Sequence, residues 1–239
     1  MNSEFISRLQ NSKFLDVIKK DRNVICIYLG GSRSNGLGHE NSDYDIVVIT
    51  TQEEKEEMPL RMSYQGNTVH WYYRSLEQMT LSVSTQWNNR LFYLSGINLY
   101  NMHTNLIYVN NKYQKLFDFI LDHKQKIIEY ACWQFVLNNW SFRNIVAKGK
   151  ITEVAYSKYI YHMFVCYCIL FNEPFDKECL MKLKRINWIE DAERALSDEL
   201  KRAEEAILFL NNYYNSHQEE IINLKKYLTE EIEKLKEAQ

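Results

Sequence analysis

Apolar positions along the chain follow two patterns. Between residues 24 and 74 they form short runs. Val24 to Leu29 is continuous, Tyr44 to Thr51 carries Ile46, Val47, Val48 and Ile49, and Thr68 to Arg74 follows the turn signal Gln65-Gly66-Asn67. Short β-branched runs bounded by Gly, Asn and Asp predict strands, and continuous ones predict strands buried on both faces. Three such strands predict a small mixed sheet. Ahead of it, Phe5, Ile6, Leu9, Phe14, Val17 and Ile18 recur at helical spacing, which predicts one helix over 4–20. From about Ser75 the strand pattern thins, except at Leu106-Ile107-Tyr108-Val109. Helical spacing takes over at Phe117 to Ile128, at Phe135 to Trp140 and at Tyr156 to Phe171, and Asn172-Glu173-Pro174 interrupts it. The pattern predicts an α+β architecture. Residues 1–110 form a small mixed-sheet domain with flanking helices, and residues 111–239 form a helical-bundle domain that completes a cleft between the two.

The segment Asn215 to Gln239 sets Ile221, Leu224, Leu228, Ile232 and Leu235 on one face, with Glu and Lys elsewhere. This is an amphipathic helix, either docked on its own domain or pairing with a second copy to form a homodimer. With 7 Gly and 2 Pro in the chain, no flexible linker separates the halves, so they are expected to pack closely.

Composition narrows the classes. At 46% hydrophobic and 25% charged residues, the chain has the balance of a folded globule and not of a disordered tail. A formal net charge of −2 argues against binding nucleic acid mainly by neutralising phosphates. Five cysteines, Cys26, Cys132, Cys166, Cys168 and Cys179, are an odd set without C-x-x-C spacing, which predicts reduced thiols and neither a disulfide framework nor a zinc site. No signal-type or membrane-spanning apolar run is present, so the expectation is a cytoplasmic protein with no membrane partner.

The chemistry is concentrated between Leu29 and Asp45. Gly30 and Gly31 allow close backbone approach to an anion, and Ser32 adds a hydroxyl donor, so this turn suits a phosphate. Asp43 and Asp45 alternate to one side at the head of a strand, about 6–7 Å apart along the chain, as two carboxylates that hold a divalent cation should. Hard oxygen ligands of this kind suit Mg²⁺, with Mn²⁺ as the alternative.

Gly31-Ser32, a spacer from Arg33 to Ser42, and Asp43-Tyr44-Asp45 at the start of a strand together resemble the DNA polymerase β-like nucleotidyltransferases, and the two-domain pattern is similar to the antibiotic nucleotidyltransferases among them. The resemblance implies transfer of NMP from an NTP donor such as ATP to an acceptor hydroxyl, with release of pyrophosphate. It also implies two-metal in-line chemistry at Asp43 and Asp45 and nucleotide binding by Gly30, Gly31 and Ser32. Acceptors in the family include antibiotics, tRNA ends and protein side chains, and the charge balance favours a small molecule or protein over RNA.

The family's third carboxylate is expected on the strand Thr68 to Arg74, where this chain has His70. Imidazole is a poor ligand for Mg²⁺ and brings no negative charge. His70 is therefore an altered ligand or a general base, a plain strand residue while Glu40 or another acid completes the site, or the mark of a catalytically weakened nucleotide-binding or regulatory protein. Lys158, on the helix Ala155 to His162, resembles the basic residue that family members use on the triphosphate, against the alternative of a solvated lysine. Arg33 either contacts phosphate from the loop or faces water. Glu129 and Glu153 are weaker candidates for activating an acceptor.

Overall fold

The computed structural model describes residues 2–20, 23–34, 38, 40–52, 60–81, 105–146, 153–174, 178, 179, 183 and 197–238. Helices α1 (Asn2–Gln10) and α2 (Lys13–Lys19) lead into β1 (Val24–Gly30), a short helix α3 (Gly31–Ser34) and β2 (Tyr44–Thr50). The hairpin strands β3 (Leu60–Tyr64) and β4 (Asn67–Ser75) follow, then α4 (Leu76–Leu81) and β5 (Leu106–Val109). After a 3-10 turn at Asn111–Tyr113 the described elements are helical: α5 (Gln114–Asp122), α6 (Lys124–Val146), α7 (Glu153–Leu170), α8 (Ser197–Ser216) and α9 (Gln218–Glu237).

The helix expected over 4–20 is two helices. Ser12 stops the first and starts the second: its hydroxyl donates to the Leu9 carbonyl and accepts from the Leu15 amide, capping α2. The sheet has five strands in the order β3-β4-β2-β1-β5, with β2 and β4 parallel and the other pairs antiparallel, a mixed sheet. Its edge strand β3 has no counterpart in the apolar pattern. It forms because Gln65 (φ 51°) and Gly66 (φ 78°) make a two-residue turn with both φ positive, pairing Tyr64 with Asn67.

Alternation along the central strands sorts the side chains to two faces. Ile27, Leu29, Tyr44, Ile46, Val48, Val69 and Trp71 join Phe5 and Leu9 of α1 and Leu15 and Ile18 of α2 in one buried cluster. The intervening Ile25, Tyr28, Val47 and Ile49 are buried as well. Burial on both faces accounts for the unbroken apolar runs of β1 and β2. Helix α4 packs against β2 and β4, and α5 against β1.

Contacts divide the chain into two compact units, residues 1–131 with 225–239, and residues 132–224. In the first unit, the C-terminal part of α9 buries Leu228 and Ile232 and sets Glu231 at 3.7 Å from His123, Tyr227 under the Lys126 ammonium and Lys236 at 2.7 Å from Glu77. In the second unit, α7 packs on α8. Trp133 stacks on Tyr213 at 5.4 Å, and Tyr213 stacks on His217 at 3.8 Å. All five cysteines are free and buried, and burial pushes the thiols of Cys26 and Cys168 up, the latter to about 12, far from a reactive thiolate.

Candidate functional site

Strand register assembles one row of residues across the sheet. Asp45 pairs with Gly30 on β1 and with His70 on β4, and His70 pairs in turn with Arg61 on β3. Directly opposed residues project to the same face, so the carboxylate of Asp45, the imidazole of His70 and the stem of Arg61 stand side by side. The sheet thus joins a turn glycine, an acid and a histidine that lie far apart in sequence.

Gly31 follows this row at the end of β1, in the left-handed region with φ +64°. A Cβ there would lie 1.8 Å from Oδ2 of Asp45, so the carboxylate occupies the space that any other residue's side chain would need. The turn continues as the single-turn helix α3, whose Ser34 hydroxyl donates to the Gly31 carbonyl and whose Ser34 carbonyl accepts from the buried Asn105 amide. Ser32 is half-buried in that turn, and Gly30 is buried as the last residue of β1.

Asp43 lies one residue ahead of β2, with its side chain 46% exposed, whereas that of Asp45 is 23% exposed. Their carboxylates converge on one atom: Nδ1 of His70 is 3.7 Å from Oδ2 of Asp43 and 3.6 Å from Oδ1 of Asp45. Tyr72, two residues beyond His70 on the same face, donates a hydrogen bond to Asp45. Burial raises the Asp45 carboxyl above the usual range. Positive charge on His70 and the Tyr72 hydrogen bond oppose that rise, and the neighbouring Asp43 adds to it. Burial and Asp45 together push the Tyr72 hydroxyl up, keeping it a donor.

Among the described residues, no group of three or more His, Cys, Asp and Glu side chains is arranged to hold a metal ion. The pair Asp43 and Asp45 fits another mode, in which a hard cation takes one or two protein carboxylates and completes its shell with phosphate oxygens and water.

The structure brings Gly30, Gly31, Ser32, Asp43, Asp45 and His70 together. Arg33 is buried, with its guanidinium donating to the carbonyls of Ser42 and Glu40. Lys158 lies on α7, and its side chain and that of Glu153 fall outside the described residues. Glu129 is half-buried on α6. Sequence reasoning missed two residues of the site face. Tyr72 was available from strand alternation with His70. Arg61, exposed and with no ion pair among the described residues, could be placed only once β3 was known.

Residues 12–130 match the family described as Polymerase beta, Nucleotidyltransferase. No curated protein matches the chain. Among solved structures, the chain is similar to a nucleotidyltransferase-like protein from Exiguobacterium sibiricum, at 11% identity and a TM-score of 0.33, over 94% of this chain and 79% of that one.

Proposed function

With residues 12–130 belonging to the polymerase beta nucleotidyltransferase family, we propose that the chain transfers NMP from an NTP such as ATP to an acceptor hydroxyl, in the presence of Mg²⁺ or Mn²⁺. The observation that carries this reading is the convergence of the Asp43 and Asp45 carboxylates beside a turn whose Gly31 leaves room only for Asp45.

Asp43 and Asp45 would hold the divalent cation, which when bound neutralises phosphate charge and orients the triphosphate. The Gly30-Gly31-Ser32 turn would receive phosphate oxygens through backbone amides and the Ser32 hydroxyl. Arg61, paired with His70, is a cation on the same face. The acceptor oxygen forms a bond to the α-phosphorus, the bond from that phosphorus to the bridging oxygen breaks, and pyrophosphate leaves. His70, whose Nδ1 lies against both carboxylates, is the candidate to take the acceptor's proton. The charge balance favours a small-molecule or protein acceptor over RNA, and five free thiols favour the reducing cytoplasm. Among the described residues, no helix is long and apolar enough to cross a membrane.

One observation favours a second reading. The row position that faces Asp45 holds an imidazole and not a carboxylate, which suits a catalytically weakened, nucleotide-binding regulatory protein. Incubating the protein in a lysate with each α-labelled NTP and Mg²⁺ or Mn²⁺ separates the two. The enzyme reading expects label on protein, RNA or a small molecule with the wild type and none with Asp45→Asn. Equal labelling by both proteins, or none by either with any NTP, defeats it.

A further inference from the structure

Between the Gly-Ser turn and Asp43, the described residues 38 and 40–42 lie around one side chain. Arg33 is 5% exposed. Its Nε donates to the Ser42 carbonyl and its terminal nitrogen to the Glu40 carbonyl, both at 2.9 Å. Its guanidinium lies 3.9 Å from the Tyr44 ring centroid, and the Tyr44 ring stacks on Phe5 at 3.5 Å. Gly38 packs so closely on the stem that a Cβ there would come within 2.8 Å of the Arg33 Cγ. The loop therefore passes Arg33 at residues 38, 40, 42 and 44.

Two features decide what this arrangement does. Tyr44 and Asp45 project to opposite sides of β2, so a guanidinium laid on Tyr44 stands on the side away from the Asp45 carboxylate. Asp43 precedes the strand, and the Ser42 carbonyl held by Arg33 is an anchor immediately ahead of it. A planar guanidinium can hold two carbonyls and a ring face at once, which an ammonium cannot.

We infer that Arg33 is a positioning residue: it braces the loop so that Asp43 and Asp45 present their carboxylates together, and it does not contact the triphosphate. The inference rests on reading Asp43 and Asp45 as the cation-holding pair.

Arg33→Lys keeps the charge and loses the fork. Two measurements on the full chain test it, with no nucleotide present. The first is hydrogen exchange at the amides of residues 41–43. The second is Mn²⁺ binding, read by electron paramagnetic resonance with Mn²⁺ as the only ligand and Asp45→Asn as the control that removes the site. A braced loop predicts exchange at least about tenfold faster and Mn²⁺ affinity about tenfold weaker in Arg33→Lys, as expected for loss of a charge-assisted hydrogen bond. A phosphate contact predicts unchanged exchange and unchanged Mn²⁺ affinity, with only ATP binding in the presence of Mn²⁺ weakened, and that result overturns the inference. If Arg33→Lys does not fold, Gly38→Ala moves the loop without touching the charge, and the same two readouts decide. If the wild type binds no Mn²⁺, the cation-holding reading fails, and exchange at 41–43 alone decides whether Arg33 braces the loop.

Discussion

Tyr44 and Asp45 are neighbours in the chain and live in different surroundings. Tyr44 lies between Phe5 and the Arg33 guanidinium, on the face where α1 and α2 close over the sheet. Asp45 points the other way, against Gly31, His70 and Tyr72. On the first face the polar group present is spent on bracing, since the arginine's donors go to loop carbonyls. On the second, two carboxylates are kept close together and one of them is largely buried, an arrangement that raises the free energy of the resting protein and that a bound cation would relieve. One strand thus carries the stability of the domain on one side and its chemistry on the other, and substitutions on the two sides should fail in different ways.

The largest stability effect belongs to the closed face. Trp71 is 1% exposed, meets Phe14 edge-on and lies in the α1–α2 cluster. Trp71→Ala should cost about 3–5 kcal/mol, seen as a lower urea midpoint with an unchanged slope. A loss below about 1 kcal/mol would mean that this face is not the packed core of the domain.

On the open face, Gly31→Ala should cost about 1–3 kcal/mol, because the residue sits at φ +64° and its new Cβ would overlap the Asp45 carboxylate. Its stronger signature is functional. Divalent-dependent nucleotide binding should fall by about 100-fold or more even at temperatures where the variant remains folded, since Asp45 must move away. Retention of that binding would show that the contact between Gly31 and Asp45 is not required.

The smallest effect has the opposite sign. Burial raises the Asp45 carboxyl, so the folded state prefers it protonated. The stability tied to that preference is fully present below the ordinary aspartate range and is lost as pH rises through the elevated folded value. Asp45→Asn removes the buried charge and should stabilise the metal-free protein by about 1 kcal/mol at neutral pH, a gain that shrinks towards zero on acidification. Thermal unfolding of both proteins across pH checks this, and a destabilised variant at neutral pH would contradict it.

Much of this contrast could be read from the chain before any coordinates. The runs at Val24 to Leu29 and Tyr44 to Thr51 announce strands because both faces are buried, and the spacing from Gly31-Ser32 to Asp43-Tyr44-Asp45 announces the turn and the acid pair. Leu60 to Tyr64 escaped notice because an edge strand with alternating exposed and half-buried residues has no apolar signature, and its existence depends on the Gln65-Gly66 turn and on pairing with β4. The split of the first helix at Ser12 escaped because amphipathic spacing continues across it, while the capping hydroxyl that divides it is a local hydrogen-bond choice. Arg33 was legible as a cation beside a phosphate turn. Its burial under the loop was not, because the partners it binds are main-chain carbonyls, which carry no sequence signal.

In the proposed function, Asp43 and Asp45 form a cation-dependent nucleotide site. Isothermal titration of the wild type and of Asp45→Asn with ATP and the other NTPs, each with Mn²⁺ and then with EDTA, tests it directly. The wild type should bind only when the divalent ion is present, and Asp45→Asn should show no divalent-dependent binding. Nucleotide binding of equal strength in EDTA, unaffected by the substitution, would contradict it.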